Sequence, residues 1–229
     1  MATARKGGQG VASLLALSLA APLLVLGAAL LTRAGALSLE TGYDLLTMRI
    51  GWWLALAGAV AALGAVVLAL RDIRRLGLMA LAAVVAAGGT LGGFVWQNNR
   101  LAGAPSEDIS TDLAEIPGFG DLGDERGNRG PRVTAGVEAC PGALPVMKQI
   151  APESAIWALE KAGFTIRGAG VARADGTREG FWFGFDHDAV IRIRPGRTDI
   201  RVAARDSRSH GGDACRLASR ISAALQPAG

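Results

Sequence analysis

The stretch FWFGFDHDAVIRIRPGRTDIRV, Phe181 to Val202, decides the fold of the C-terminal half. Phe181, Phe183 and Phe185 alternate with Trp182 and Gly184, Ile191 and Ile193 flank Arg192, and Ile200 and Val202 flank Arg201. A period of two is the mark of strands with one buried face. Taking Asp186-His187-Asp188 and Pro195-Gly196-Arg197-Thr198 as the turns predicts three antiparallel strands, with Phe183 opposite Ile191 and Ile193 opposite Ile200 on the core face. Trp182, Arg192, Arg194 and Arg201 then share the other face.

Working outward, Pro152 opens and Gly163 closes a helical pattern with Ile156, Trp157 and Leu159 inside it. Phe164 to Val171 reads as a strand, and Ala174-Asp175-Gly176-Thr177 as a hairpin turn. Asp213 to Leu225 sets Ala214, Leu217, Ile221 and Leu225 at helical spacing, with Arg216 and Arg220 outside. The expectation for residues 136–229 is an α+β domain, an antiparallel sheet packed by helices on one face. Residues 98–135 read as an acidic linker and extended lead-in. Residues 98–125 carry one basic and seven acidic residues, and residues 126–229 carry 16 basic and 10 acidic. The two parts should attract, so the lead-in is expected to fold back.

The first 97 residues are of another kind. Three uncharged runs, residues 11–32, 50–70 and 76–97, are each long enough to cross a hydrocarbon core of ~30 Å as a helix. Half of the 229 residues are hydrophobic and 19% charged, against about a quarter charged in ordinary soluble domains. The net charge of +4 sits entirely in residues 1–97, with 7 basic and 3 acidic residues, which removes the main support for nucleic-acid binding. Arg5 and Lys6 before the first run and Arg71, Arg74 and Arg75 between the second and third predict a cytoplasmic N-terminus and an exported C-terminal domain. Trp52, Trp53 and Trp96 fall near the outer ends that this orientation implies. The first run exceeds the usual apolar core of a signal peptide and reads as an uncleaved helix, despite Ala34-Gly35-Ala36 after it. No ionisable residue lies inside a run, which argues against a transporter. Gly88 with Gly92 and Gly89 with Gly93 have the spacing that lets helices approach, so a homo-oligomer through the third helix is one expectation.

Cys140 and Cys215 both fall in the half expected to be exported, where a disulfide is the natural reading. With no CxxC and no Cys/His cluster in the sequence, neither a metal nor a cofactor is expected.

Asp108-Ile109-Ser110-Thr111-Asp112, the block from Trp182 to Ile193, and Ser207-Arg208 followed by Asp213 and Arg220-Ile221 carry a resemblance. Over residues 108–225 the chain resembles the family called domain of unknown function 1499. That resemblance implies a domain placed after a few helices of a bacterial inner membrane, and no particular reaction. The chain departs from the family pattern at Cys140, Cys215, Leu217 and Ala204, where an aromatic residue, glycine, asparagine and arginine are usual. Two cysteines arriving together at such positions strengthen the disulfide reading.

The candidate ligand-binding residues are Trp182, Asp188, Arg192, Arg194, Arg201, Arg208 and Asp213. Opposed like charges such as Arg192 and Arg201 need an anion or carboxylates between them, with Asp199 expected to offset Arg194. The functional expectation is a multi-pass inner-membrane protein whose periplasmic domain binds an anionic lipid, another envelope component or a partner protein without catalysis. The rival is a membrane-tethered enzyme using Asp188, Arg208 and Asp213. Asp186-His187-Asp188 reads as turn chemistry.

Overall fold

The computed structural model describes residues 2–127 and 129–226, without the side chains of residues 2–7. Those of Arg5 and Lys6, on which the orientation reading draws, therefore lie outside the described residues. The chain forms two compact units, Met1–Asn98 with Trp182–Gly184, and Asn99–Phe181 with Phe185–Gly229.

In the first unit, α1 (Ala2–Arg33) is followed by a π-helical stretch Glu40–Gly51 that runs directly into α2 (Trp52–Ala69), and then by α3 (Ile73–Ala102). Three helices, Gly8–Arg33, Glu40–Ala69 and Ile73–Ala102, are long and apolar enough to cross a membrane. Arg49, Glu40 and Asp44, which lie between the first two uncharged runs, belong to the π-helical stretch, where the Thr47 hydroxyl donates to the Gly42 carbonyl five residues back. The 30 residues of α3 span about 45 Å, so its polar ends outrun the predicted segment 76–97.

These helices meet through small side chains. Ala55, Gly58, Ala62 and Ala65 of α2 are buried, and the Ser18 hydroxyl of α1 donates to the Gly58 carbonyl at 3.0 Å. Leu23, Val60, Leu63 and Leu78 point outward. Close backbone approach with bulky apolar groups outside is how helices associate when hydrophobic burial cannot drive them. The α3 glycines 88, 89, 92 and 93 meet nothing that a Cβ would touch within 4 Å.

The second unit is built on a five-stranded antiparallel sheet in the order β1-β5-β4-β3-β2. Its strands are β1 (Asp108–Ser110), β2 (Thr165–Gly170), β3 (Arg173–Arg178), β4 (His187–Arg194) and β5 (Arg197–Ala204). Among the described residues, three helices accompany them, α4 (Asp121–Arg126), α5 (Pro152–Lys161) and α6 (Asp213–Leu225). The helices α5 and α6 form where proline, glycine and apolar spacing place them. They cover one face, burying Leu159, Ala214, Leu217, Ile221 and Leu225 against Ile109, Ile191, Ile200 and Val202. Trp157, expected inside the helix pattern, is half exposed.

The remaining sequence expectations need correction. Phe181–Phe185 is a loop, because Phe183 and Gly184 take positive φ angles of 55° and 69° that no β ladder accommodates. The strand beside β4 is instead β3, so Ala174–Thr177 is strand and the chain turns at Val171-Ala172. His187 and Asp188 open β4 and are buried. Pro195-Gly196 makes a two-residue turn, with Gly196 supplying a positive φ of 75°. Ile191 therefore opposes Ile200, Ile193 opposes Thr198, and Arg192 opposes Asp199. This register lies two residues from the expected one, so each side chain keeps its face and changes its partner. Nor is 98–135 a linker: it completes α3 and supplies β1 and α4.

Cys140 and Cys215 form a disulfide with Cα atoms 5.6 Å apart, tying the segment before α5 to α6.

Candidate functional site

On the sheet face opposite α5 and α6, the acidic lead-in lies over the arginine strands. Arg192 and Arg194 both donate to Asp112 Oδ2, at 2.9 and 2.8 Å, and to Asp199 Oδ2, at 3.3 and 2.6 Å. Arg197 donates to Asp199 Oδ1 at 2.7 Å. Arg201 grips Asp108 through two nitrogens, at 2.9 and 2.6 Å. Asp188, fully buried at the start of β4, takes Arg126 at 2.8 Å and both donating edges of Arg205. Arg126 also closes on the Ala203 and Ala204 carbonyls, and the Phe119 ring sits 4.3 Å from its guanidinium and 4.5 Å from that of Arg201. Burial pushes the Arg126 guanidinium below its ordinary value, with Asp188 opposing that. Such bidentate, partly desolvated pairs are the strong kind, and removing one partner strands the other.

The predicted residues are thus divided. Arg192, Arg194 and Arg201 do share a face, but carboxylates of the same chain already occupy them. Trp182 lies in the loop before β4, and the ring stacked between arginines is Phe119. Asp188 belongs to that outer face, whereas Asp213 opens α6 on the helix side and pairs with Arg100 and Arg216. Arg208 pairs with Asp206 at 3.8 Å. The sheet therefore separates Asp188 from Asp213.

Beside this ladder is a cleft of about 640 Å³ between α4 and the β2–β3 hairpin, lined by Asp121, Glu125, Arg167, Arg173 and Asp175 together with the small residues Gly168 to Gly170. Arg167 donates to Glu125 at 2.7 Å, and both side chains are over 40% exposed. Arg173 holds Asp175 at 2.9 Å and the Phe119 carbonyl. Burial raises the Asp175 carboxyl, with Arg173 offsetting part of that.

A second cluster, missed in the sequence, joins Glu107, His187 and His210, all buried, with donor atoms within 4.8 Å of one another. It contains the ligand types whose absence from any local motif led to the expectation of no metal. Glu107 Oε1 accepts the N–H groups of His210 and Gly212, and Oε2 that of Ala214 in the first turn of α6. A carboxylate at a helix N-terminus is favoured on dipole grounds. Burial works to raise the Glu107 carboxyl, yet His187, the Ala214 and Gly212 N–H groups and the His210 ring outweigh it and hold the group at about 2. Burial lowers His187 and so favours its neutral ring, against the pull of Glu107. His210 Nδ1 lies 3.4 Å from His187 Nε2, and its Nε2 lies 3.1 Å from Asp206. Asp206 is held below its ordinary value because the His210 bond overcomes burial. The one legible clue was two histidines in a chain that has only two.

No family model, no curated protein and no solved structure matches the chain.

Proposed function

We propose that the chain is an integral inner-membrane protein that displays its α+β domain in the periplasm as a non-catalytic binding module for an anionic envelope component, the phosphate or carboxylate of a lipid or glycan. Its three long apolar helices, small residues inside and large ones outside, support the membrane part. Arginines flanking the second and third helices support the orientation. The resemblance to the domain of unknown function 1499 family points the same way.

The observation that carries the binding reading is the contrast between the two groups of arginines. Arg192 and Arg194 are each held by two buried carboxylates, Asp112 and Asp199, and freeing Arg201 would leave Asp108 buried without an arginine. The exposed Arg167–Glu125 pair is of the kind worth about 0–1 kcal/mol, and Glu125 keeps Arg205 as a partner at 3.2 Å. An external anion can therefore replace Glu125 at Arg167 at little cost. The ligand site is thus the cleft, and the ladder is its scaffold.

The test uses full-length protein in phosphatidylcholine nanodiscs and immobilised vesicles with and without phosphatidylglycerol. Saturable binding to the anionic vesicles is expected, weakened roughly tenfold by Arg167→Glu. Equal binding by wild type and variant would overturn the cleft assignment.

A further inference from the structure

We propose that Glu107, His187 and His210 bind a divalent cation of the zinc type, which clips together the chain before β1, the start of β4 and the loop before α6. The argument begins with the outward-facing nitrogens. His210 Nε2 faces the Asp206 carboxylate at 3.1 and 3.2 Å, so it carries a hydrogen. His187 Nε2 is turned to the cluster, 3.4 Å from His210 Nδ1 and 3.8 Å from Glu107 Oε2. The His210 arrangement is the one that orients metal-binding imidazoles, the outer N–H held by a carboxylate and the inner lone pair aimed inward. In the tautomer that carries its hydrogen on Nδ1, His187 turns a bare Nε2 to the lone pair of His210 Nδ1, and the two nitrogens face each other at 3.4 Å.

Two lone pairs in that position need something positive between them. A tetrahedral ion with Zn–N bonds of ~2.0–2.1 Å sets its nitrogens about 3.3–3.4 Å apart, the separation seen here. Glu107 Oε2 is 3.8 Å from His187 Nε2 and, accepting a single N–H from Ala214, has a further lone pair for the ion. The charge of the site also favours a cation. Two carboxylates, Glu107 and Asp206, lie against the imidazoles, with one cation, Arg208, 3.8 Å from Asp206, so a further positive charge is favoured there. All three ligand residues are about 3% exposed and the Phe185 ring stacks on His210 at 4.3 Å, so the ion's role is structural.

A proton shared by the two rings fits the same nitrogen separation, and the experiment separates it from a metal. Full-length protein purified in detergent without chelators is assayed for metals, then stripped with a chelator and titrated with Zn²⁺ and Co²⁺. About one equivalent of a divalent metal is expected to persist through gel filtration. Restoring Zn²⁺ to the stripped protein should raise its melting temperature, and Co²⁺ should give the visible d–d bands of a tetrahedral nitrogen-oxygen site. Asp206→Asn retains all three ligands and should weaken Zn²⁺ binding 10- to 100-fold. His210→Gln should abolish the Co²⁺ bands. Wild-type protein with no bound metal, no Co²⁺ bands and no thermal response would overturn the site in favour of the shared proton.

Discussion

Asp112 gathers two arginines of β4 on one carboxylate. Its Oδ2 accepts from Arg192 and Arg194, and its Oδ1 from the N–H groups of Ala114 and Glu115. The main-chain donor at Glu115 is the largest influence holding the group below its ordinary value of 3.8; burial opposes it and Arg194 assists. A carboxylate whose folded-state value is depressed stabilises the fold above its unfolded value and loses that contribution as the pH falls. Asp112→Asn should therefore cost about 1–2 kcal/mol at pH 7, between an exposed and a buried pair. The gap between wild type and variant should narrow as the pH falls below 3.8. Chemical unfolding of the full-length protein, followed by fluorescence at both pH values, checks this. A gap of the same size at low pH would show that the side chain acts through shape rather than charge.

Among the elements, β3 shows what the residue pattern conceals. Asp175-Gly176 has the composition of a hairpin turn, yet Gly176 sits in mid-strand, where an added Cβ would lie 2.7 Å from the Thr165 carbonyl oxygen and 3.3 Å from Phe164 Cβ. Glycine here serves close approach, the other reason for it in a strand. Gly176→Ala must move the β2 backbone and should destabilise the domain by about 1–3 kcal/mol, read from the urea midpoint. An unchanged midpoint would mean that β2 yields freely. The helices α5 and α6 were legible because their signals are local, a proline, a glycine and a 3.6-residue apolar spacing. The faces of β4 and β5 were legible because parity survives a two-residue slip. Partners were not, since they depend on whether Pro195-Gly196 turns in two residues or four. The Glu107, His187 and His210 cluster was hidden for a further reason. Its members are adjacent in space and distant in the chain, and the alternation of β4 that places His187 says nothing of what lies opposite it.

At the scale of the molecule, the net charge divides according to the roles of the two halves. Basic residues gather beside the apolar helices, while the rest of the chain is neutral in sum and polarised along its length. That polarity is spent internally, Asp108, Asp112, Glu115 and Glu125 binding the arginines that follow them in the chain. Closing this arrangement by a disulfide across 75 residues removes unfolded-state freedom equivalent to about 4 kcal/mol in the chain-entropy model. For a domain of this size, the Cys140→Ser, Cys215→Ser double variant should melt on the order of 15 °C lower than wild type. The bond also reports on compartment. If the domain lies on the oxidising side of the membrane, protein from cells lysed directly into a thiol-reactive polymer should gain no mass until reduced, and then two additions. Two additions without reduction would place the domain among reduced thiols. That result would reverse the orientation drawn from Arg71, Arg74 and Arg75 while leaving the ion pairs of the sheet as they are.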